Sequence, residues 1–126
     1  MLSLLLDEQI SPTVAEQARR KYPQVRIVAF REWHGGRFMG TADSIFIPEA
    51  AGEKLTLVTY DQRTIRPLLK SWMEQGIDHG GVIFVDAKTI PPQDFGGLVK
   101  ALGQLWKIER KAEWKNRVVF LRRPSK

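Results

Sequence analysis

The sequence predicts an α/β fold: a three-layer α/β/α sandwich around a central, mostly parallel sheet. Short apolar runs alternate along the chain with longer amphipathic segments, a pattern typical of strands alternating with helices. Several runs are continuously apolar, as expected for parallel strands that are covered on both faces. The length of 126 residues suits one compact domain, so we expect a single domain over residues 1–126 with right-handed crossovers.

The chain is predicted to open with a strand, a helix and a second strand. Residues 2–6 form the first apolar run. Ser11 followed by Pro12 is typical of a helix N-cap and first helical position, and Pro23 prevents that helix from continuing. Residues 25–30 are apolar and rich in β-branched side chains, which indicates the second strand.

The next part of the chain is predicted as a loop, a helix and a third strand. Residues 31–40 are rich in glycine and aromatic side chains and indicate a loop. Thr41 is expected to cap a helix over residues 42–51, which Pro48 should kink or shorten. The apolar run at residues 55–59 is the third predicted strand.

The remaining elements continue the same alternation. A helix is predicted over residues 64–75, with Pro67 in its first turn, and a fourth strand over residues 82–85. A long amphipathic helix is expected over residues 92–110. A short last strand at residues 118–121 completes the predicted order.

The composition favours an anionic partner. The net charge is +6, and a basic balance of this kind most often serves nucleic acid, with solubility alone as the alternative. The chain has no cysteine, which excludes disulfides and thiolate metal sites and fits a cytoplasmic location. No apolar run is long enough to span a bilayer, so no membrane partner is expected. Much of the positive charge lies near the C-terminus, at Lys107, Arg110, Lys111, Lys115, Arg117, Arg122, Arg123 and Lys126.

Acidic residues follow two of the predicted strands. Asp7 comes directly after the first strand, and Asp61 lies two residues beyond the third. If those strands flank the switch point of the sheet, they are about 4.8 Å apart and the two carboxylates share one crevice. Asp43, near the start of a helix, could reach the same rim. Glu8 is a possible neighbour of the site, but its side chain should point opposite to that of Asp7 if the strand continues, which favours a helix cap or a solvent-exposed position.

Carboxylates that converge in this way repel each other unless a cation neutralises them. Mg²⁺ prefers oxygen ligands and commonly uses one or two carboxylates together with substrate phosphates. We therefore predict a magnesium site at this edge of the sheet. The alternative is that each acid accepts hydrogen bonds from free backbone N–H groups at a helix start or turn.

Three segments resemble PIN-like domains, specifically the small toxin-like, VapC-related group that begins with LLDEN. These segments are LLLDEQIS, TADSIFIPEA and LVTYDQRTI, and the resemblance covers roughly residues 2–85. It implies an α/β/α nuclease fold, a Mg²⁺ or Mn²⁺ site and cleavage of single-stranded RNA. Carried onto this chain, it implies that Asp7, Asp43 and Asp61 are the catalytic metal ligands and that Thr59 supports them.

The chain departs from this pattern after Asp61. Arg63 stands where the family usually has another acid, and we expect it to contact a substrate phosphate instead. The departure keeps open a catalytically degenerate PIN-like module that binds RNA or a protein partner. The resemblance further implies an antitoxin protein and a homodimer, with the 31–40 loop or the last helix as the contact surface.

Two further predictions concern the 31–40 loop and a different fold family. Trp33 could stack on bases or pack over the core, and His34 and Arg37 are candidate RNA contacts, with a plain loop role as the alternative for His34. A receiver-like phosphoacceptor is the third functional hypothesis, with Asp61 as the acceptor. It lacks a well-placed lysine after a late strand, because Lys88 matches that position poorly.

Overall fold

The computed structural model describes residues 1–124, and Lys126 of the basic tail lies outside the described residues. Within that range, strands and α-helices alternate as predicted, and a 3₁₀ helix, Trp33–Gly36, forms part of the 31–40 loop. The strands are β1 (Ser3–Leu6), β2 (Arg26–Ala29), β3 (Thr56–Thr59), β4 (Val82–Val85) and β5 (Val118–Leu121). The helices are α1 (Pro12–Lys21), α2 (Asp43–Gly52), α3 (Gln62–Gln75) and α4 (Phe95–Glu109).

The five strands form one parallel sheet in the order β2-β1-β3-β4-β5. The chain runs outward from β1 to β2 and then returns to the other side of β1, so β1 and β3 flank the switch point. Their register places Leu6 opposite Val58. All strands end at one edge of the sheet, called here the carboxyl edge, and begin at the opposite one, the amino edge. The predicted α/β sandwich with a parallel sheet is confirmed.

The sheet is covered on both faces by two separate apolar clusters. Leu4 and Leu6 of β1 point toward α1 and α4, whereas Leu5 points toward α2 and α3. Every residue of β3 and β4 is buried. This double coverage explains why these strands are continuously apolar in sequence.

The crossover from β4 through α4 to β5 has the opposite hand to the other three. α1 and α4 pack on the same face, but the step from β1 to β2 and the step from β4 to β5 run in opposite directions through the sheet. α2 and α3 lie on the other face and step toward β5, so they share the hand of α1. Because right-handed crossovers are the strong rule, the odd one is left-handed. The prediction of right-handed crossovers is therefore wrong for α4.

The segment between α4 and β5 crosses the amino edge as a consequence. The carbonyl of Arg110 accepts a hydrogen bond from the amide of Leu2, next to β1, at 2.8 Å. The carbonyl of Arg117 accepts one from the amide of Val82, the first residue of β4, at 2.9 Å. Residues 110–117 therefore run beneath the starts of the central strands before β5 begins.

The predicted details of α2 need correction. The N-cap residue is Ala42, whose side chain makes no capping bond. The Thr41 hydroxyl donates instead to the Phe38 carbonyl at 2.7 Å, so its predicted capping role is wrong. Pro48 lies inside α2 and does not end it. Its ring sits on the exposed side, where water can bond the carbonyl that the proline leaves without an N–H partner.

The starts of α3 and α4 also differ from the prediction, because aspartate caps set them. Asp61 caps α3, which begins two residues earlier than predicted, so Pro67 lies in the second turn and not in the first. Asp94 caps α4, which begins at Phe95 and not at residue 92. Among residues 1–124, no helix combines the length and the apolar character that crossing a bilayer requires.

Candidate active site

Asp7 extends β1 by one residue and lies almost fully buried at the carboxyl edge. Its amide donates to the Val58 carbonyl at 2.9 Å, and its side chain is 8% exposed. Oδ2 accepts a hydrogen bond from Thr59 Oγ1 at 2.6 Å, and Oδ1 accepts one from the Glu8 amide at 2.7 Å. Burial raises the pKa of Asp7, these hydrogen bonds oppose the rise, and the charge of Asp61 adds to it.

Thr59 joins the two acids that follow β1 and β3. The residue is fully buried, and its hydroxyl both donates to Asp7 Oδ2 and accepts from the Asp61 amide at 3.0 Å. One hydroxyl therefore fixes the Asp7 carboxylate relative to the backbone that carries Asp61. That Thr59 supports a metal site stays a prediction. Its hydroxyl contacts the Asp7 carboxylate and the Asp61 backbone amide, as such a role requires.

Asp61 has a structural task and one oxygen left over. It is the N-cap of α3, and Oδ1 accepts a hydrogen bond from the Thr64 amide at 3.0 Å. Within the described part of the chain, its Oδ2 has no hydrogen-bond partner. The capping alternative is thus realised for one oxygen, while the other is available to a ligand.

Asp43 is the first residue of α2, and the negative charges of Asp7 and Asp61 both act on its carboxyl group. Burial raises its pKa, and the carboxylates of Asp7 and Asp61 raise it further. The three carboxylates therefore share one electrostatic environment. Within residues 1–124 no three acidic, histidine or cysteine side chains stand close enough to form a ready-made metal cage, so the three acids are coupled but not gathered.

Glu8 anchors the loop that leads to Asp43. Its side chain is exposed, and Oε1 accepts a hydrogen bond from the Gly40 amide at 3.1 Å. Gly40 has a φ of 78°, a left-handed conformation that favours glycine. The residue beside Asp7 is thereby tied to the chain that enters α2, which gives Glu8 a positioning role.

The aromatic side chains of the 31–40 loop belong to the core. Trp33 is 4% exposed and Phe38 8%, and their rings stack with a centroid distance of 4.6 Å. They pack in the cluster between the sheet and α2 and α3. Burial leaves Trp33 no free ring face for a base, so the structure favours packing over RNA stacking for this residue.

The other predicted RNA contacts are exposed side chains of the 31–40 loop and of α3. The Nε2 of His34 lies 2.6 Å from Oε2 of Glu53 at the end of α2, so the imidazole already has a carboxylate partner and lies toward the amino edge. Arg37 is exposed, with its guanidinium 5.5 Å from the centre of the Phe38 ring. Arg63 is exposed in the first turn of α3. Both arginines are placed where they can meet an approaching anion.

Tyr60 is a site residue that sequence reasoning missed. It lies between Thr59 and Asp61, and its hydroxyl donates to the Ile90 carbonyl at 2.8 Å. Burial raises the pKa of Tyr60 to about 12, so the hydroxyl keeps its proton and its bond. This contact ties the end of β3 to the loop after β4. The only sequence signal was an aromatic residue between two residues already singled out.

Comparisons with protein-family models, with curated proteins and with solved structures find no match to this chain. The fold and the position of the three acids therefore rest on the coordinates, and the resemblance to PIN-like domains stays a prediction.

Proposed function

We propose that this protein is a Mg²⁺- or Mn²⁺-dependent ribonuclease of the PIN-like type that cleaves single-stranded RNA. The observation that carries the proposal is that Asp7 and Asp61 follow the neighbouring strands β1 and β3 and are joined through the Thr59 hydroxyl at the switch point of the sheet, and that the charges of both acids raise the pKa of Asp43. A parallel sheet binds its ligands in this crevice. Carboxylates that repel one another in this way lower their free energy by taking up a cation.

The donor chemistry of the three acids fits such a cation. Asp61 offers its free Oδ2, and Asp43 offers a carboxylate that caps no helix. Asp7 is oriented by Thr59 and Glu8 and retains unused lone pairs. A bound Mg²⁺ or Mn²⁺ would supply a water of lowered pKa and stabilise the negative charge that develops on the phosphate. The protein itself contributes by holding the three carboxylates in position.

Basic residues at the same edge suit an RNA strand. Arg37 and Arg63 are exposed there, and Arg122 follows β5, which ends at this edge. Arg123 is less available, because its guanidinium is bonded to the Asp94 carboxylate. Arginines that contact phosphates position a strand without reading its sequence. We therefore expect RNA binding that weakens steeply with salt.

A second candidate is a binding module that holds RNA without cleaving it. Arg63 favours it, because this cation stands two residues after Asp61, where the resembled family usually has an acid. A fixed positive charge near the carboxylates would compete with a metal ion. An antitoxin partner, and a dimer of this chain, belong to either candidate as proposals that rest on the resemblance alone.

The deciding experiment is cleavage of a labelled single-stranded RNA by the purified protein with Mg²⁺, Mn²⁺ or a chelator. We expect metal-dependent cleavage, reduced on the order of 10²-fold or more in Asp7→Asn and Asp61→Asn. Asp86→Asn is the matched control, because Asp86 follows β4 at the same edge and its Oδ1 only accepts the Lys88 amide.

Unchanged cleavage in both site variants would refute the proposed catalytic site. Absence of cleavage with either metal, together with RNA binding that weakens steeply with salt, would support the binding module instead.

A further inference from the structure

A second candidate site lies at the amino edge, at the opposite end of the strands from Asp7. It is a cavity of about 560 Å³ between the segment that precedes β4 and residues 110–117. The cavity forms because α4 packs beside α1 and ends next to β1, whereas β5 lies at the other side of the sheet. Residues 110–117 must therefore pass under the central strands, and they form one wall.

The two walls are locked together by backbone contacts. The amide of Asn116 donates to the His79 carbonyl at 2.9 Å, and the His79 amide donates to Asn116 Oδ1 at 2.9 Å. Gly81 has a φ of 100°, and a Cβ there would meet the Trp114 carbonyl oxygen at 2.6 Å. Only glycine allows this approach. The cavity is thus a fixed feature of the fold.

His79 is a buried residue, and one of its imidazole nitrogens is accessible to solvent and has no protein partner among the described residues. The residue is 6% exposed and lines the cavity wall. Its Nδ1 accepts a hydrogen bond from the Gly81 amide at 3.0 Å, so a neutral ring carries its proton on Nε2. Burial lowers the pKa of His79, which keeps the ring neutral near pH 7. Among residues 1–124, no hydrogen-bond partner occupies Nε2.

Three lysines and two carboxylates line the cavity, so its charged side chains have a small positive excess. Lys54 and Lys111 line it and form no ion pair within the described residues. Lys115 lies 3.3 Å from the Asp78 carboxylate in an exposed pair, which contributes little. Glu113 accepts the Lys115 amide at 3.1 Å through Oε1. Glu113 keeps its negative charge, but Lys54, Lys111 and the imidazole N–H are donors without a protein acceptor among the described residues, and an acceptor-rich anion would complement them.

We propose that this cavity binds a phosphate group through the Nε2–H of His79 and the ammonium groups of Lys54 and Lys111. The phosphate comes either from a free nucleotide or from an RNA backbone that reaches the amino edge. This site is independent of the proposed nuclease, because it lies at the other end of the strands and uses none of the three acids.

The test is an NMR titration of protein labelled with ¹⁵N at histidine, without divalent metal, using inorganic phosphate, adenosine monophosphate and a single-stranded oligoribonucleotide. We expect a saturable shift of the His79 Nε2 signal, with a dissociation constant of about 1 mM or below for the preferred probe. Preference for the mononucleotide assigns the site to free nucleotides, and preference for the oligonucleotide assigns it to RNA.

Three variants make the assignment specific. Lys111→Gln and Lys54→Asn should each weaken binding about tenfold, as expected for a lost charge-assisted contact. Asparagine suits position 54, where φ is 59°. His79→Asn keeps an acceptor for the Gly81 amide and removes the Nε2 donor, so it should also weaken binding. Lys100→Gln, on the exposed face of α4, is the charge-matched control and should bind as the wild type does.

The proposal is overturned if no probe gives a saturable shift at His79. It is equally overturned if the lysine variants bind as tightly as Lys100→Gln. Asp7→Asn should leave this binding unchanged, so failure here and failure of the ribonuclease proposal are separate results.

Discussion

Replacing Thr59 by valine tests the hydroxyl that joins the two strand ends of the candidate site. Valine keeps the branched shape of threonine but has no hydroxyl. The change removes the 2.6 Å bond to Asp7 Oδ2 and the 3.0 Å bond from the Asp61 amide. Thr59 is fully buried, so water cannot replace the donor to Asp7 without rearrangement.

The expected loss follows from the two bonds. A hydrogen bond to a charged group contributes about 1.5–3 kcal/mol, and a neutral one about 0.5–1.5 kcal/mol. Asp61 is partly exposed, so water can compensate its amide in part. We therefore expect the free energy of unfolding to fall by about 2–4 kcal/mol at pH 7. Thr59→Ser retains the hydroxyl and loses only a buried methyl group, which costs about 1 kcal/mol.

The difference between the two variants should depend on pH. Burial raises the pKa of Asp7 above its ordinary value of 3.8, and the Thr59 bond opposes that rise. A raised pKa in the folded state means that stability falls as pH increases from 3.8 to the folded value. Valine raises the pKa further and enlarges this fall. At acid pH, where Asp7 is protonated in both states, the valine and serine variants should approach each other.

The assay is urea unfolding followed by the fluorescence of the buried tryptophans, at pH 7 and again at the acid limit of folding. Equal stability of Thr59→Val and Thr59→Ser at pH 7 would refute the bridging role of the hydroxyl. A difference that does not narrow with acid would refute the assignment of its pH dependence to Asp7.

Three further predictions concern Asp7, Asp43 and Gly81. Asp7→Asn should show a smaller fall in stability above pH 3.8 in urea unfolding than the wild type, because its amide cannot ionise whereas Asp43, whose pKa is also raised, still can; a fall as large as that of the wild type would contradict this. In the same variant, a carboxyl NMR titration should show a lower pKa for Asp43, since one of the negative charges that raise it is gone, and an unchanged pKa would mean that the two groups are not coupled. Gly81→Ala should lower the free energy of unfolding by about 2 kcal/mol or more, because it strains the backbone and brings a methyl group against the Trp114 carbonyl. Gly52→Ala is the control: it has open space around it and should be close to neutral in thermal unfolding. Equal melting temperatures of the two variants would show that the contact between Gly81 and Trp114 is not rigid.

Much of the fold was predictable because strands that are covered by helices on both faces are continuously apolar in sequence. The four buried residues of β4, for example, read as a continuous apolar run. The alternation of strands and helices also places Asp7 and Asp61 at one edge, since parallel strands end together. The sequence does not reveal which face a helix covers, so the position of α4 beside α1 and its left-handed crossover needed coordinates.

The parts of the site that could not be decided from the sequence depend on long-range contacts. Asp43 comes near the other acids only because the 31–40 loop is folded back and tied to Glu8 through Gly40. The burial of Trp33, for which the sequence left base stacking and core packing as alternatives, depends on the path of the same loop. The residue types of such a segment predict that it is a loop, but they do not predict the path that the loop takes.

The most direct test of the account is selective broadening of backbone amide NMR signals by substoichiometric Mn²⁺. We expect the signals of Asp7, Asp43 and Asp61 and their neighbours to broaden first and together, Mg²⁺ to restore them by competition, and Asp7→Asn to weaken the effect. Uniform broadening, or broadening centred away from the carboxyl edge, would contradict a shared cation site.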